Sequence, residues 1–333
     1  MQQQAAPDKK FKFKFVANGR AKGWSAKKGT VTQNALVLDS ESIDYSLITD
    51  TTTRGRRLLI GIMPQTTLSP KFAKSLVDGK ILVLEIQAGK ASEVERAVDS
   101  LCSYQSVLRR KQQLTQQGQS AQFHAVRCPE CQSAIDLTGI PSTPYLYCRY
   151  CETVFAAKKG KEIVTKGSTY HECDECGMFG RIRGYTEFYF YFVLVAYGFS
   201  YKQRYLCDSC AHKMFVKTLL ANLIFILGVP SAIYAKLKSL AGREASIKNL
   251  GKASAFSRVG KYKQATRIYE KLYQKHPHHP GLLMNEGIGH LRGNDVPGAI
   301  QSFDQAMKAC GNYLPVMRVV RGMQQAPSRI QRR

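Results

Sequence analysis

Four Cys-x-x-Cys motifs organise the middle of this chain: Cys128-Pro-Glu-Cys131, Cys148-Arg-Tyr-Cys151, Cys173-Asp-Glu-Cys176 and Cys207-Asp-Ser-Cys210. Each motif lets two sulfur atoms converge on one cation, and two motifs together complete the tetrahedral four-sulfur set that Zn²⁺ prefers. Positions 132–147 separate the first two motifs, and the longer stretch 177–206 separates the last two. The sequence therefore predicts two structural zinc ions, each held by one consecutive pair of motifs.

The intervals inside the two pairs favour β-hairpins. Between the first two motifs, Ala134–Leu137 and Tyr145–Tyr147 fit short strands around a turn that contains glycine and proline. Between the last two motifs, the aromatic run Phe188–Tyr197 favours two long strands, because aromatic and β-branched residues are enriched in sheets. Both halves resemble the zinc-ribbon class of metal modules. The resemblance implies one ribbon at residues 124–160 and a second, with long aromatic arms, at residues 168–214.

Other chemistry of the cysteines is either open or less consistent with the sequence. Iron in place of zinc stays open, because iron–sulfur sites use the same ligands. Disulfides and thiol redox chemistry fit less well, since no signal peptide is recognisable and no βαβ context surrounds a motif. Four thiolates leave no coordination position for a substrate, which favours structural over catalytic zinc. The remaining cysteines are expected to be buried thiols, and the nearby histidines surface residues: Cys102 and Cys310; His124, His171 and His212.

The net charge restricts the class of partner. The chain has 49 Lys and Arg against 24 Asp and Glu, which gives a formal net charge of +25. The surplus is densest in residues 236–333, which hold 18 basic and 5 acidic residues. Such a balance implies an anionic partner, whether nucleic acid, acidic lipid headgroups or an acidic protein.

The first hundred residues predict a small antiparallel domain after a disordered lead at residues 1–9. Phe11–Phe15 alternates aromatic and basic residues with the period of a half-buried strand. Four more short apolar segments predict strands at residues 30–38, 42–48, 57–62 and 81–86. After Gly89 the apolar residues recur at helical spacing. This order resembles the pleckstrin-homology class, including its lipid-binding GRAM-type members. The resemblance implies a bent sheet closed by one helix over residues 10–112, followed by a polar linker at 113–123.

A basic loop near the start of this domain is the candidate site for phosphate headgroups. In the pleckstrin-like interpretation, Arg20, Lys22, Lys27 and Lys28 lie on the first loop together with Trp24, the only tryptophan of the chain. A basic loop that carries an aromatic residue suits an anionic lipid surface. The alternative is a solvated loop around one buried tryptophan.

A second candidate for membrane contact is the uncharged run from Thr218 to Ala235, within an apolar segment at residues 215–240. At about 1.5 Å per residue a helix of this length falls just short of the ~30 Å hydrocarbon core. Gly228 and Pro230 interrupt it, and lysines flank it on both sides. A spanning or re-entrant segment and a helix buried against the second ribbon are both open.

The C-terminal region, residues 244–325, is an internal repeat with a period of about 34 residues. The repeat pairs small and aromatic positions in both copies, Ala253 with Gly287, Ala265 with Ala299, Tyr269 with Phe303 and Leu272 with Ala306. This pattern resembles the tetratricopeptide repeat. Two units and a trailing helix are few for an independent solenoid, so we expect the region to lean on its neighbours or on a second copy.

Two arginines occupy the same position of the two repeats, Arg258 and Arg292. In the tetratricopeptide family this position faces the concave groove, so the resemblance implies that both arginines contact an acidic peptide there. The alternative is two ordinary surface arginines.

Taken together, these patterns predict a multidomain α+β protein built from binding modules. No nucleophile–base pair, phosphate loop or open metal site is recognisable, so we expect a non-enzymatic adaptor rather than an enzyme. Its expected partner is an acidic protein bound through the repeats, at a membrane surface or within a complex. A nucleic-acid-associated zinc factor is the alternative, and self-association into a homo-oligomer stays open. The expected location is the cytoplasm, with membrane association through residues 218–235 left open.

Overall fold

A computed structural model describes residues 8–17, 20–63, 69–87, 91–158, 162–193, 196–222, 247 and 249–325. The chain divides into two compact units, Met1–Gly139 and Ile140–Arg333. Unit 1 contains the N-terminal sheet and the first Cys-x-x-Cys motif, and unit 2 contains the other three motifs and the C-terminal helices.

Unit 1 is built on one antiparallel sheet with the strand order β5-β4-β3-β1-β9-β7-β6, in which β2 pairs with β1 and β8 with β9. The last strand of the sheet therefore lies between the first strand and β7. A short helix α1 (Pro70–Ala73) precedes β8, and a long helix α2 (Ala91–Gln116) follows β9. The strands are β1 (Lys9–Ala17), β2 (Arg20–Ala21), β3 (Lys27–Val31), β4 (Ala35–Leu38), β5 (Glu41–Asp44), β6 (Ile48–Arg54), β7 (Arg57–Ile62), β8 (Leu76–Val77) and β9 (Ile81–Ile86).

The core of unit 1 is formed by strands along which buried and exposed side chains alternate. Phe11, Phe13 and Phe15 are buried on one face of β1, whereas the lysines between them lie on the other face or at its margin. Helix α2 adds Val94 and Val98 to the same cluster. The predicted order of antiparallel strands followed by one amphipathic helix is thus confirmed. Membership of the pleckstrin-homology class stays a prediction.

Three local features of unit 1 differ from the sequence-based expectation. The predicted strand at residues 30–38 is two strands, because Thr32 closes a turn in which its hydroxyl bonds to Ala35. Strand β6 was missed, since its threonine-rich sequence has little apolar signal. Helix α2 continues to Gln116 and a 3₁₀ turn covers Ser120–Gln122, so much of the predicted linker 113–123 has helical structure. Glutamine is a good helix former, which explains the extension.

The first Cys-x-x-Cys motif lies on a small hairpin that is fastened to helix α2 within unit 1. Its strands are β10 (Ala125–Arg127) and β11 (Ala134–Asp136). The backbone N–H of Ala134 donates a 2.8 Å hydrogen bond to the fully buried hydroxyl of Ser103 on α2. This contact fixes the start of β11 immediately after the motif.

Unit 2 opens with two small antiparallel sheets and a helix. β12 (Tyr145–Tyr147), β13 (Val154–Ala156) and β14 (Ile163–Thr165) form the first sheet. β15 (Tyr170–Glu172), β16 (Phe179–Val193) and β17 (Ala196–Cys207) form the second, as the sequence predicts for a pair of long strands. Helix α3 (Asp208–Asn222) follows β17 without a loop.

The structure describes five further helices in unit 2. They are α4 (Leu250–Arg258), α5 (Tyr262–Lys275), α6 (Pro280–Arg292), α7 (Val296–Ala309) and α8 (Leu314–Gln325). Helices α5 and α7 begin and end at equivalent positions of the two repeats, and α4 and α6 end at equivalent positions. All eight residues of the predicted small/aromatic pattern are buried. The helical repeat is therefore present, while its assignment to the tetratricopeptide family stays a prediction.

The helical repeats of unit 2 share one hydrophobic core with the cysteine-rich sheets. Tyr147, Val154 and Phe179 of the sheets belong to the same buried cluster as the repeat residues. The repeats thus lean on their neighbours within the chain, as expected for so few units.

Two buried or partly buried asparagine side chains fix this packing. The Asn285 amide accepts from the N–H of Phe179 at 2.7 Å and donates to its carbonyl at 2.6 Å. The Asn312 amide pairs in the same way with Tyr147, at 3.0 and 2.8 Å. Each asparagine therefore acts as a substitute strand partner for one residue of a cysteine-rich sheet. Such pairing satisfies backbone groups that would otherwise be buried without a partner.

The uncharged run covers residues 218–235. Its first five residues continue the backbone of α3, and residues 223–235 lie outside the described residues. Among the helices that the structure describes, none is both long enough and apolar enough to cross a membrane.

A close approach at Gly287 gives a test of the repeat packing. A Cβ added to Gly287 on α6 would lie 2.4 Å from the Phe303 ring, whereas one added to Gly251 on α4 would meet nothing within 4 Å. We expect Gly287→Ala to destabilise unit 2 by about 1–3 kcal/mol through overpacking. Gly251→Ala should leave stability unchanged or raise it by up to about 1 kcal/mol. Urea unfolding of both variants checks this, and equal stabilities would refute the predicted close packing.

Asp99 makes the stability of unit 1 depend on pH. Burial raises the pKa of this carboxyl group to about 8, against an ordinary value of 3.8, although its hydrogen bond with Thr51 opposes the shift. The folded state keeps a proton that the unfolded state loses, so stability falls as pH rises from 3.8 through 8. Asp99→Asn should therefore stabilise the protein by at least about 1 kcal/mol more at pH 8 than at pH 5.

The matched control for this substitution is Asp78→Asn at an exposed turn. Urea unfolding with saturating zinc measures, for each variant, the change in the free energy of unfolding at pH 5 and at pH 8. A pH-independent effect of Asp99→Asn, or an equal effect of Asp78→Asn, would contradict the buried-carboxyl account.

Candidate metal centres

The first cage consists of Cys128, Cys131, Cys148 and Cys151, whose sulfur atoms all lie within 4.8 Å of one another. Its two motifs have the same backbone turn. The N–H of Gln132 donates to the carbonyl of Cys128 and that of Glu152 to the carbonyl of Cys148, at 3.0 and 2.7 Å. Gln132 and Glu152 have left-handed φ values of 63° and 57°. This turn is what aims both sulfur atoms of a motif at one point.

Hydroxyl groups follow the second cysteine of each motif in the first cage. Ser133 Oγ lies 3.3 Å from Cys131 Sγ, and Thr153 Oγ1 lies 3.3 Å from Cys151 Sγ. A hydroxyl can donate to a thiolate and so spread its negative charge. The sequence does carry a signal for these residues, namely a hydroxyl two positions after each motif. The spacing of the cysteines alone does not reveal it.

The second cage consists of Cys173, Cys176, Cys207 and Cys210, again with all sulfur atoms within 4.8 Å. Its first motif has the same turn, with the N–H of Gly177 donating to the carbonyl of Cys173 at 2.8 Å and φ of 66° at Gly177. Its second motif differs, because Cys207 ends β17 and Cys210 lies in the first turn of α3. This cage is therefore formed by one Cys-x-x-Cys turn, the end of a long hairpin and the start of a helix. It does not consist of two equivalent turns.

A helix that begins at a Cys-x-x-Cys motif is also found in thiol redox proteins. Here the convergence of all four cysteines distinguishes the site, because a redox pair needs only two. Cys173 lies at the centre of this arrangement: its Sγ accepts from the N–H of Cys207 at 3.3 Å. Hydrogen bonds from Cys176, Cys207 and Cys210 lower the pKa of the Cys173 thiol well below its ordinary value.

Both cages fit a tetrahedral zinc ion. With Zn–S bonds of about 2.3 Å, the edge of the sulfur tetrahedron is about 3.8 Å. The sulfur atoms of Cys176 and Cys207 are 3.9 Å apart. Four sulfur donors leave no position for water or substrate, which makes both sites structural. The eight cysteines predicted as ligands are thus brought together as two structural zinc sites.

The two arginines predicted for a peptide groove lie against the second cage. Arg258 Nη1 is 2.7 Å from Cys210 Sγ, and its Nη2 donates to Ser209 Oγ. Arg292 Nη2 donates to the carbonyl of Cys176 at 3.0 Å, and its Nη1 lies 3.5 Å from Met178 Sδ. The chain's own second cage therefore occupies the guanidinium groups of both residues. Their binding of an acidic peptide stays a prediction.

The helices that carry these arginines, α4 and α6, also contact strand β16, which follows the Cys173–Cys176 turn of the second cage. A Cβ at Gly281 would lie 2.5 Å from the Phe179 ring, and Asn285 pairs with the Phe179 backbone. Sequence reasoning missed this use of the helix face. The repeat register located the arginines, but nothing in it identifies what they contact.

The residues of the predicted headgroup site differ in their surroundings. Lys22 and Lys28 are exposed, and Trp24 is fully exposed, so the alternative of a buried tryptophan is wrong. Lys27 pairs with Asp39 and lies over the Phe15 ring, 5.6 Å from its centroid. Arg20 lies in β2, where it pairs with Ala17.

The remaining cysteines and histidines of the described residues lie outside both cages. Cys310 is buried, as predicted, whereas Cys102 is only half-buried. Burial raises the pKa of both thiols to about 12. His124 and His212 are exposed, as predicted. His171 is instead half-buried, with Nδ1 at 3.5 Å from a carboxylate oxygen of Glu152.

Neither a protein-family model nor a curated protein nor a solved structure matches this chain.

Metal content gives the direct test of the two cages. Purified protein should contain two zinc ions per chain, one in each cage. Cys173→Ser should reduce this to about one, because the remaining three sulfur atoms cannot complete the second tetrahedron. Binding of a structural metal ion contributes folding free energy, so the variant should also lose stability in unit 2.

Inductively coupled plasma analysis measures the metal, and circular dichroism measures the folding. Cys102→Ser is the matched control and should retain both zinc ions. Iron in place of zinc, or a zinc content that Cys173→Ser leaves unchanged, would contradict the assignment.

Proposed function

We propose that this protein is a non-enzymatic adaptor that uses zinc-stabilised modules as a scaffold and binds an acidic protein partner. The observation that carries this proposal is a strip of three exposed lysines on the outer face of the unit 1 sheet: Lys10, Lys12 and Lys28. None of them forms an ion pair within the described part of the chain. The high net charge of the chain supports the same class of partner, since a surplus of this size attracts anions.

The lysine strip follows from the register of β1 and β3. Lys12 is directly opposite Lys28, and both side chains are exposed. Lys10, two positions before Lys12, is exposed on the same face opposite Thr30. Like charges directly opposite each other destabilise a sheet. An anionic partner would remove that repulsion, which gives binding a local electrostatic gain.

The loop between β2 and β3 adds an aromatic anchor. Trp24 is fully exposed, and Lys22 beside it is exposed as well. Tryptophan is among the residues that most often carry binding energy at protein interfaces, because it buries a large area with few rotatable bonds. The lysine strip (Lys10, Lys12 and Lys28) and the Trp24 loop together form the proposed basic surface.

The helical repeats support the proposed class of function, but they are not the surface to which we assign the acidic partner. Their resemblance to the tetratricopeptide family favours a binding protein over an enzyme. Because Arg258 and Arg292 contact the second cage, we assign the contact with the acidic partner to the basic surface instead. An anionic membrane would bind through the same surface, and self-association stays a prediction without an assigned surface.

A nucleic-acid-associated factor is the second candidate function. The exposed Trp24 next to lysines favours it, since single strands stack their bases on exposed aromatic side chains within basic surfaces. Binding of this kind weakens steeply with salt, because each phosphate contact releases a counterion.

Charge reversal on the strip tests the adaptor proposal. The variant Lys12→Glu/Lys28→Glu should bind an acidic, Glu-rich peptide at least about tenfold more weakly, a loss of about 1.4 kcal/mol. The matched control is Lys263→Glu/Lys271→Glu on the exposed face of α5, which changes the net charge equally. Fluorescence anisotropy with the labelled peptide measures both.

Parallel titrations with single-stranded RNA and with phosphatidylserine vesicles separate the alternatives. Preferential binding of RNA with a steep salt dependence would replace the adaptor by the nucleic-acid candidate. Equal losses of peptide affinity in the two charge-reversed variants would show that only net charge matters and would refute the proposed surface.

A further inference from the structure

The second cage is contacted by arginines from two successive repeats. Arg258 ends α4 and Arg292 ends α6, at equivalent positions of the two repeats. Arg258 reaches the sulfur of Cys210, and Arg292 reaches the carbonyl of Cys176. One arginine therefore contacts each of the two Cys-x-x-Cys motifs of this cage. Packing between the helices alone would not require an arginine that contacts the cage at the same position of both repeats.

The surroundings of Arg258 favour an anionic cage. Its guanidinium group is half-buried, and within the described residues no carboxylate forms an ion pair with it. Its buried Nε has no hydrogen-bond partner among those residues. Burying a charge without an opposite charge is costly. Four thiolates around one Zn²⁺ leave two negative charges, and these would offset the cost at the atom that Arg258 contacts.

Arg292 acts on the backbone of the other motif. Its bond to the Cys176 carbonyl lies next to Gly177, whose left-handed φ of 66° shapes the turn. The same side chain touches Met178 through sulfur at 3.5 Å. Two hydrogen bonds therefore stabilise this turn. The N–H of Gly177 donates to the carbonyl of Cys173 at 2.8 Å within the turn, and Arg292 donates to the carbonyl of Cys176 from the neighbouring helix.

We propose that Arg258 and Arg292 are positioning residues of the second zinc site, through which zinc binding and the docking of the helical repeats strengthen each other. Arg258 donates a charge-assisted N–H···S hydrogen bond to the Cys210 thiolate, and Arg292 fixes the Cys173–Cys176 turn. Partners of metal ligands commonly change metal affinity by about 10- to 100-fold. By linkage, a group that favours the zinc-bound state is itself held more firmly when zinc is bound. This inference is independent of the adaptor proposal.

Zinc affinity of variants tests the role of Arg258. Arg258→Met removes the charge and keeps a long, flexible side chain, so it should weaken the second site about tenfold or more. Arg258→Lys should recover part of this loss, because it restores the charge without the planar fork. Arg267→Met, at an exposed position on α5, is the matched control and should change neither site. Competition with a chromophoric chelator resolves the two zinc ions, and the first cage is the internal reference.

A spectroscopic measurement separates this role from a general loss of folding. With Co²⁺ in place of zinc, the thiolate-to-cobalt absorption should shift to lower energy in Arg258→Met, because the thiolate loses a hydrogen bond. Arg292→Met should weaken metal binding without this shift, because its contact is to a carbonyl. If a variant does not fold, Arg258→Lys in the same assays still decides the question.

Hydrogen exchange tests the reciprocal effect. Removal of zinc from the second cage should increase amide exchange in α4 and α6 of the wild-type protein, and much less in Arg258→Met. Unchanged affinity and absorption in Arg258→Met, or a loss equal to that of Arg267→Met, would overturn the proposal. Exchange in α4 and α6 that is insensitive to zinc would overturn the coupling.

Discussion

The convergence of four sulfur atoms on one point is the constraint on which the cysteine-rich part of this protein depends. Three of the four motifs meet it with the same backbone turn, in which Gln132, Glu152 or Gly177 takes a left-handed conformation. The fourth meets it with the first turn of α3. The two strands between the motifs of the first cage are three residues each, so they bury little apolar surface by themselves. Metal binding therefore supplies folding free energy that these sheets could not obtain from packing.

Unit 2 joins this metal-dependent part to the helical repeats through one core. Asn285 and Asn312 pair with the backbones of Phe179 and Tyr147, and glycine at position 281 lets the Phe179 ring approach α6 closely. Two repeats with a trailing helix expose more apolar surface than they can cover alone, and the cysteine-rich sheets cover it. The repeats and the cysteine-rich sheets therefore share one core rather than packing as separate modules.

The positive charge of the chain has two different uses in this interpretation. At the second cage, Arg258 lies against sulfur, where a planar guanidinium group can donate directional hydrogen bonds. On the sheet of unit 1, Lys12 and Lys28 face each other in solvent, where they repel. The first arrangement stabilises the protein itself, whereas the second favours an external anion. Net charge alone could not distinguish these two cases, because both contribute equally to it.

The sequence by itself determined the eight zinc ligands, the antiparallel unit closed by a helix, and the repeated helical hairpins. These features depend on local spacing: the gap between paired cysteines, alternation along strands, and small residues at fixed positions in helices. Only the tertiary structure decided what Arg258, Arg292, Asn285 and Trp24 contact or leave exposed. It also decided that the fourth motif opens a helix, and that β9 lies inside its sheet rather than at an edge. The physical reason is that these contacts join segments far apart in the chain, and a local pattern carries no information about which distant surface a side chain meets.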